Sequence, residues 1–224
     1  MSMWTLVIAL LSAIIVWFSL VRFLLARPWA AVGDADYTND IGAIDYPAKK
    51  VALFFFLAAI SSLFALFVTA YVMRMDPHHG ADWHTVEKPG MLWINTVLLI
   101  FSSAAVQWAR SIAYNPPAKN LKAAVALTGM FTLAFLLGQL VAWQQIHNST
   151  HFHLDNPAMA FFYLLTGVHG LHLLGGLYVW SRTTVRVWQD AKISTIKLSI
   201  ELCTVYWHYL LLVWLVLFGL LIST

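Results

Sequence analysis

Long apolar runs alternate with short polar breaks along this chain. A helix crosses the hydrocarbon core of a bilayer with about twenty apolar residues. Six runs meet that length, and they predict spans at 4–25, 51–74, 91–112, 121–146, 157–181 and 201–222. Polar or proline-rich stretches separate them, among them "YNPPAKN", "HNSTHFHLDNP" and "SRTTVRVWQDAKISTIK". Every proline falls in a break or at a span edge, the position expected of a punctuating residue. The first run has no basic segment before it, and Arg22 and Arg27 follow it, so it reads as a retained span. The pattern therefore predicts an all-α integral membrane protein, a bundle of six transmembrane helices. Residues 1–50 supply an N-terminal helix and a cytoplasmic loop, and 51–224 supply a five-helix core.

Composition agrees and adds orientation. Hydrophobic residues make up 61% of the 224 positions and charged residues 10%, against about half and a quarter in soluble domains. The single cysteine, Cys203, excludes an intrachain disulfide and a four-cysteine metal site. Of thirteen Lys and Arg, only Arg74 and Lys88 fall on one side of the predicted membrane; the rest fall on the other. The positive-inside rule puts the basic side in the cytoplasm, and six spans then place both termini outside. Trp83, Trp93 and Trp143 are expected at the outer interface, and Trp108, Trp180, Trp188 and Trp207 at the inner one, as an aromatic belt. Trp214 is expected to pack deeper, between helices.

Ionisable residues inside spans are functional suspects. They are His169 and His172 in the fifth run, His208 in the sixth, and Glu201 at its inner mouth, with Gln139 and Gln107 as uncharged amides. No carboxylate lies at mid-depth, which argues against a self-contained pump or transporter. At about 1.5 Å per residue, His172 lies roughly 13 Å from the inner end of its run and His208 roughly 11 Å. The two are expected to approach each other, with Glu201 two turns below and His169 one turn further out. The set falls short of the three or four ligands of zinc and lacks the carboxylates of a di-iron site. Residues three apart on one helix also cannot grip haem iron from opposite faces. The imidazoles read instead as polar packing between helices. Gly167, Gly170, Gly175 and Gly176 reduce side-chain bulk around them, which favours close helix approach.

The same residues carry a family resemblance. "FFYLLTGVHGLHLLGGLYVW" (161–180) and "ELCTVYWHYLLLVWLVLF" (201–218) together resemble subunit III of haem–copper oxidases, in which a Thr-Gly-x-His-Gly-x-His helix precedes a Glu and then Tyr-Trp-His. "NTVLLIFSS" (95–103) and "FLLGQLVAW" (135–143) are weaker echoes, and the likeness runs from 51 to 222. It implies an accessory subunit of a proton-translocating terminal oxidase with no redox centre, metal site or catalytic residue of its own. Haem and copper would reside in the partner catalytic subunit I, with subunit II a further partner and no role for nucleic acid. It also implies bound phospholipid and support of proton uptake and sustained turnover, in a bacterial inner membrane. Carried over by position, His169, His172, Glu201, Trp207, His208 and Gln139 form the polar core, and Arg186 is a candidate for a lipid headgroup. Three positions that are acidic in the family are apolar here, namely Ile60, Ala142 and Leu211. The accessory subunit of a nitric oxide reductase, of the same family, is the nearest alternative, and a membrane histidine-box metalloenzyme is a more distant one. Asp34, Asp36, Asp40 and Asp45 in the first inner loop raise a further possibility, an acidic patch that collects protons for the partner.

Overall fold

The computed structural model describes residues 48–75, 83, 89–115, 120–148, 156–189 and 193–223. The first predicted span, the four aspartates after it and most of the outer-loop histidines lie outside these residues. Five helices follow in order: α1 (Ala48–Met75), α2 (Met91–Tyr114), α3 (Leu121–His147), α4 (Pro157–Trp188) and α5 (Ile193–Ser223). Each is long and apolar enough to cross a membrane. The chain is thus a multi-pass membrane protein, helical throughout its described spans.

Local chemistry sets several of the helix ends. Asn156 caps α4, its side-chain oxygen accepting from the Ala158 amide at 3.0 Å, with Pro157 in the first turn where its missing N–H is harmless. α2 stops just before Pro116, which disfavours helical backbone in the residue preceding it. The break expected between spans ending at 181 and starting at 201 is a correction: α4 runs on to Trp188 and α5 already begins at Ile193. No glycine or proline interrupts 177–200, so nothing stops either helix where its apolar run ends. Arg186, in the last turn of α4, is placed well against the negative end of the helix dipole.

Within the compact unit that begins at Ala48, α2, α3, α4 and α5 form a closed four-helix ring, α2 packing on both α3 and α5 and α4 on both α3 and α5. α1 lies outside this ring, against α4 and α5. Its apolar stretch is 11% buried, whereas those of the other four helices are 39 to 44% buried. The centre of the ring is aromatic, with Trp180, Trp207, Trp214 and Phe135 shielded almost completely.

Candidate functional site

α4 points its two histidines into different surroundings. His169 is fully buried, its ring centroid 5.2 Å from Trp214, 5.9 Å from Phe135 and 6.4 Å from Phe64. It thereby touches side chains of α5, α3 and α1. Neither of its nitrogens has a hydrogen-bond partner among the described residues, so it packs between the helices through its ring alone. His172, three residues on, is half-buried, and its Nδ1 lies 2.7 Å from the Val168 carbonyl of its own helix. A carbonyl only accepts, so Nδ1 carries the proton in that bond.

His172 and His208 do not meet, contrary to the depth argument. Matching depth is not enough, because the helices are also rotated about their axes. At about 100° per residue, Tyr206 and His208 point to nearly opposite sides of α5. Tyr206 faces α4 and donates its hydroxyl to the His172 carbonyl at 2.9 Å. His208 faces α2, with Nδ1 2.5 Å from the Ser103 hydroxyl and Nε2 3.3 Å from Gln107 Oε1. Glu201, two turns before His208, shares that direction. It pairs with Lys50 of α1 at 2.7 Å and accepts from the Tyr114 hydroxyl at 2.9 Å. Lys197 and Arg110 stand over the Tyr114 ring, 5.3 and 5.8 Å from its centroid. The edge of the α1–α2–α5 face beside Lys50 is therefore, among the described residues, a charged cluster built around one carboxylate.

A buried polar seam holds the ring together. The Trp207 indole donates to Ser102 Oγ at 3.0 Å and to Thr132 Oγ1 at 3.1 Å, and these two hydroxyls are 2.7 Å apart. The Trp214 indole donates to Thr96, Trp180 to the Val125 carbonyl and Trp143 to Thr166. Trp180 and Trp207, expected in the inner belt, are instead interior residues with every indole N–H matched inside the bundle. Gln139 accepts from Asn95 Nδ2 at 3.1 Å. A side chain at Gly138 would collide with Asn95 Oδ1, so glycine is what lets this amide pair sit between α2 and α3. Ser102, Thr132, Thr96 and Asn95 were not singled out from the sequence. The usable signal was the tryptophans themselves, since an indole N–H in hydrocarbon needs an acceptor.

Beside His172 a groove of about 460 Å³ opens between α1, α4 and α5. His172, Gly175, Tyr206 and Leu53 line it, and Lys49 stands at its inner end. The four glycines therefore do not all serve close packing. A Cβ on Gly176 would lie 2.6 Å from the Tyr206 ring, so that glycine is needed for contact. Gly175 faces open space, and Gly167 and Gly170 make only ordinary contacts. A second cavity of about 240 Å³ lies between α1 and α5, beside Ser61 and Val68. Arg186 is exposed, outside both. Among the described residues, no three His, Cys, Asp or Glu side chains come together as metal ligands.

Four spanning helices around an indole–hydroxyl seam, with a fifth packed outside them along an apolar groove that has a cation at its mouth, define a helical-bundle membrane protein. The family model described as "Cytochrome c oxidase subunit III" matches residues 3–222, and the chain belongs to that family. It is 31% identical over 174 residues to cytochrome c oxidase subunit 3 of Synechocystis sp., covering 73% of this chain and 70% of that protein. To the probable cytochrome c oxidase subunit 3 of Mycobacterium leprae it is 32% identical, covering 72% and 79%. To the cytochrome bo(3) ubiquinol oxidase subunit 3 of Buchnera aphidicola it is 26% identical, covering 69% and 79%.

Proposed function

We propose that this chain is the accessory third subunit of a haem–copper terminal oxidase in aerobic respiration, seated on the catalytic subunit that holds the haems and copper. The observation that carries this is the family match over nearly the whole chain, whose motif residues Trp207, His208 and Glu201 join α2 to α5. The relatives' names include both cytochrome c and ubiquinol oxidases, so the electron donor is a property of the partner chains. Residues 4–25 supply a sixth span, and the basic-residue asymmetry puts both termini outside the inner membrane of a bacterium.

In this reading the chain contributes structure, lipid and proton-uptake support. The groove between α1, α4 and α5 has the apolar walls that an acyl chain requires, and Lys49 at its end suits a phosphate headgroup. Arg186, at the inner end of α4, offers a second phosphate contact through its guanidinium fork. His169, His172 and Gln139 serve packing, and subunit II is a further neighbour. The test is to purify the native assembly through a tag on this chain, record its visible spectrum and identify its chains by mass. A haem-bearing partner in equal amount is expected, together with phospholipid. Recovery of the chain without such a partner, or stoichiometric iron or zinc in the separated chain, would overturn the proposal.

A further inference from the structure

The faces of the bundle differ within its apolar stretches; α1 exposes the hydroxyls of Ser61, Ser62 and Thr69, of which Ser61 and Thr69 are bonded within the bundle. On α3, every exposed residue between Lys122 and Gln144 is apolar, and the same holds on α4 between Pro157 and Tyr178. Those surfaces suit lipid tails. The face where α2 meets α5 is different, because Gln107 and His208 are both exposed there. His208 sits near the middle of its apolar stretch, twelve residues from Ile196 and fifteen from Ser223, about 18 and about 22 Å from the two ends. Gln107 lies seven residues inside the end of α2 at Tyr114, about 10 Å in. Both lie inside stretches long and apolar enough to cross a membrane.

The hydrogen-bond inventory leaves something over. Gln107 Oε1 accepts, so His208 Nε2 carries the proton, and the neutral ring then accepts at Nδ1 from the Ser103 hydroxyl. Ser103 and His208 are thereby matched. The Gln107 NH2 group is not: it keeps two donors and has no acceptor among the described residues. Lipid tails offer none. Polar side chains at this depth face protein or water rather than lipid.

We propose that the α2–α5 face around Gln107 and His208 docks a transmembrane helix of the haem-bearing partner, and that this helix presents a hydrogen-bond acceptor to the Gln107 amide. The proposal rests on the functional reading above. A second copy of this chain is a poor occupant. Among the described residues, one edge of the face gathers Lys50, Lys197 and Arg110 around the one carboxylate of Glu201, so two such edges would repel. The partner helix should accordingly be acidic at its cytoplasmic end.

The test uses the whole assembly, purified through this chain after a photo-cross-linking residue is placed at one exposed position at a time. Ile100→p-benzoylphenylalanine and Leu212→p-benzoylphenylalanine probe the α2–α5 face; Leu137→p-benzoylphenylalanine and Leu171→p-benzoylphenylalanine probe α3 and α4. Adducts to the haem-bearing chain are expected from the first pair only. Adducts to that chain from Leu137 or Leu171 alone would overturn the docking face. So would lipid adducts, copies of this chain or no adduct at Ile100 and Leu212, while the haem-bearing chain still co-purifies. Absence of that chain from every preparation would instead overturn the functional reading. Separately, Gln107→Leu should weaken retention in the complex about threefold under detergent washing, the scale of one interhelical hydrogen bond in a membrane. Gln107→Asn, with its amide one methylene short, should lose retention too, and Leu137→Ala should not. Unchanged retention in Gln107→Leu would remove the amide contact.

Discussion

The four-helix ring and α1 are held by different means. Within the ring, indole N–H groups of Trp143, Trp180, Trp207 and Trp214 reach across helix boundaries to acceptors that are themselves buried. α1 is tied by Lys50–Glu201 near its N-terminal end, Ser61–Tyr209 near its middle, and Tyr71 packed edge-on against Phe161 near its C-terminal end. The Lys50 and Ser61 ties lie at the margin of the structure, and a cavity opens beside each half of the helix. Lipid tails are as apolar as leucine, so helices in a bilayer are not driven together by burial alone. Packing and a few polar contacts decide which helices stay joined. The ring should therefore behave as one rigid unit and α1 as a leaf that loosens separately.

The largest effect should come from Gly176→Leu, at the contact between α4 and α5. Its side chain would be driven into the Tyr206 ring, and overpacking of this kind typically costs about 1 to 3 kcal/mol. A thermal melt of the purified complex should show the chain released or aggregated well below the parent's midpoint. Gly175→Leu, one residue away and facing open space, should leave the midpoint nearly unchanged while filling the groove. If both variants behaved alike, the distinction between a closed ring and an open groove would fail.

Next in size are two ring substitutions of opposite sign. Trp207→Phe deletes the indole bonds to Ser102 and Thr132, but those hydroxyls keep each other and Thr128. The loss should be about 1 kcal/mol. His169→Phe removes two buried nitrogens that have no partner, an arrangement that costs about 1 to 3 kcal/mol where it occurs. The variant should melt at or above the parent temperature. A clear fall in its midpoint would show that the imidazole has a partner that the aromatic cage conceals.

These cases also show where the sequence was legible. Apolar runs located five helices, α1 to α3 to within three residues at each end, while α4 and α5 overran the expected ends at 181 and 201, and the Thr-Gly-x-His-Gly-x-His and Tyr-Trp-His motifs pointed to the family. Spacing along a helix was legible too, because rise per residue is fixed. Azimuth was not: that His208 faces Ser103 and Gln107 rather than His172 depends on how α5 is rotated, and Tyr206 sets that rotation by taking the His172 carbonyl. Belt tryptophans and interior tryptophans also share one letter. Only the facing hydroxyls on α2 and α3 separate Trp207 from Trp188, which is exposed.

A smaller effect is expected at the Lys50 tie of α1. Lys50→Met removes the partner of Glu201, which retains Tyr114. Partly exposed ion pairs contribute about 1 kcal/mol or less, so the melting point of the ring should barely move. The effect should be local and visible at Cys203, the only cysteine, which lines the groove beneath α1. Thiol labelling by an apolar maleimide should run several-fold faster in Lys50→Met than in the parent. Equal labelling rates would mean that α1 is fixed by its apolar contacts and is no separate leaf.

The smallest effect belongs to the Ser61 tie. Ser61 donates its hydroxyl to the Leu57 carbonyl at 2.8 Å and so accepts from Tyr209, whose oxygen is 2.9 Å away. Tyr209→Phe deletes that bond alone and Ser61→Ala deletes it together with the bond to Leu57, so a double-mutant cycle isolates the shared term. The coupling should be about 0.6 kcal/mol, the average for hydrogen bonds between membrane helices, read as resistance of α1 to detergent-induced loosening by the same Cys203 labelling. The bond sits between the two cavities, where α1 has few other contacts with α5, so its loss should matter more when Lys50 is already substituted. Additive behaviour with Lys50→Met would show that the two ties act independently along the helix. A combined loss larger than the sum would show that α1 opens as one rigid body, hinged at the aromatic contacts of Tyr71.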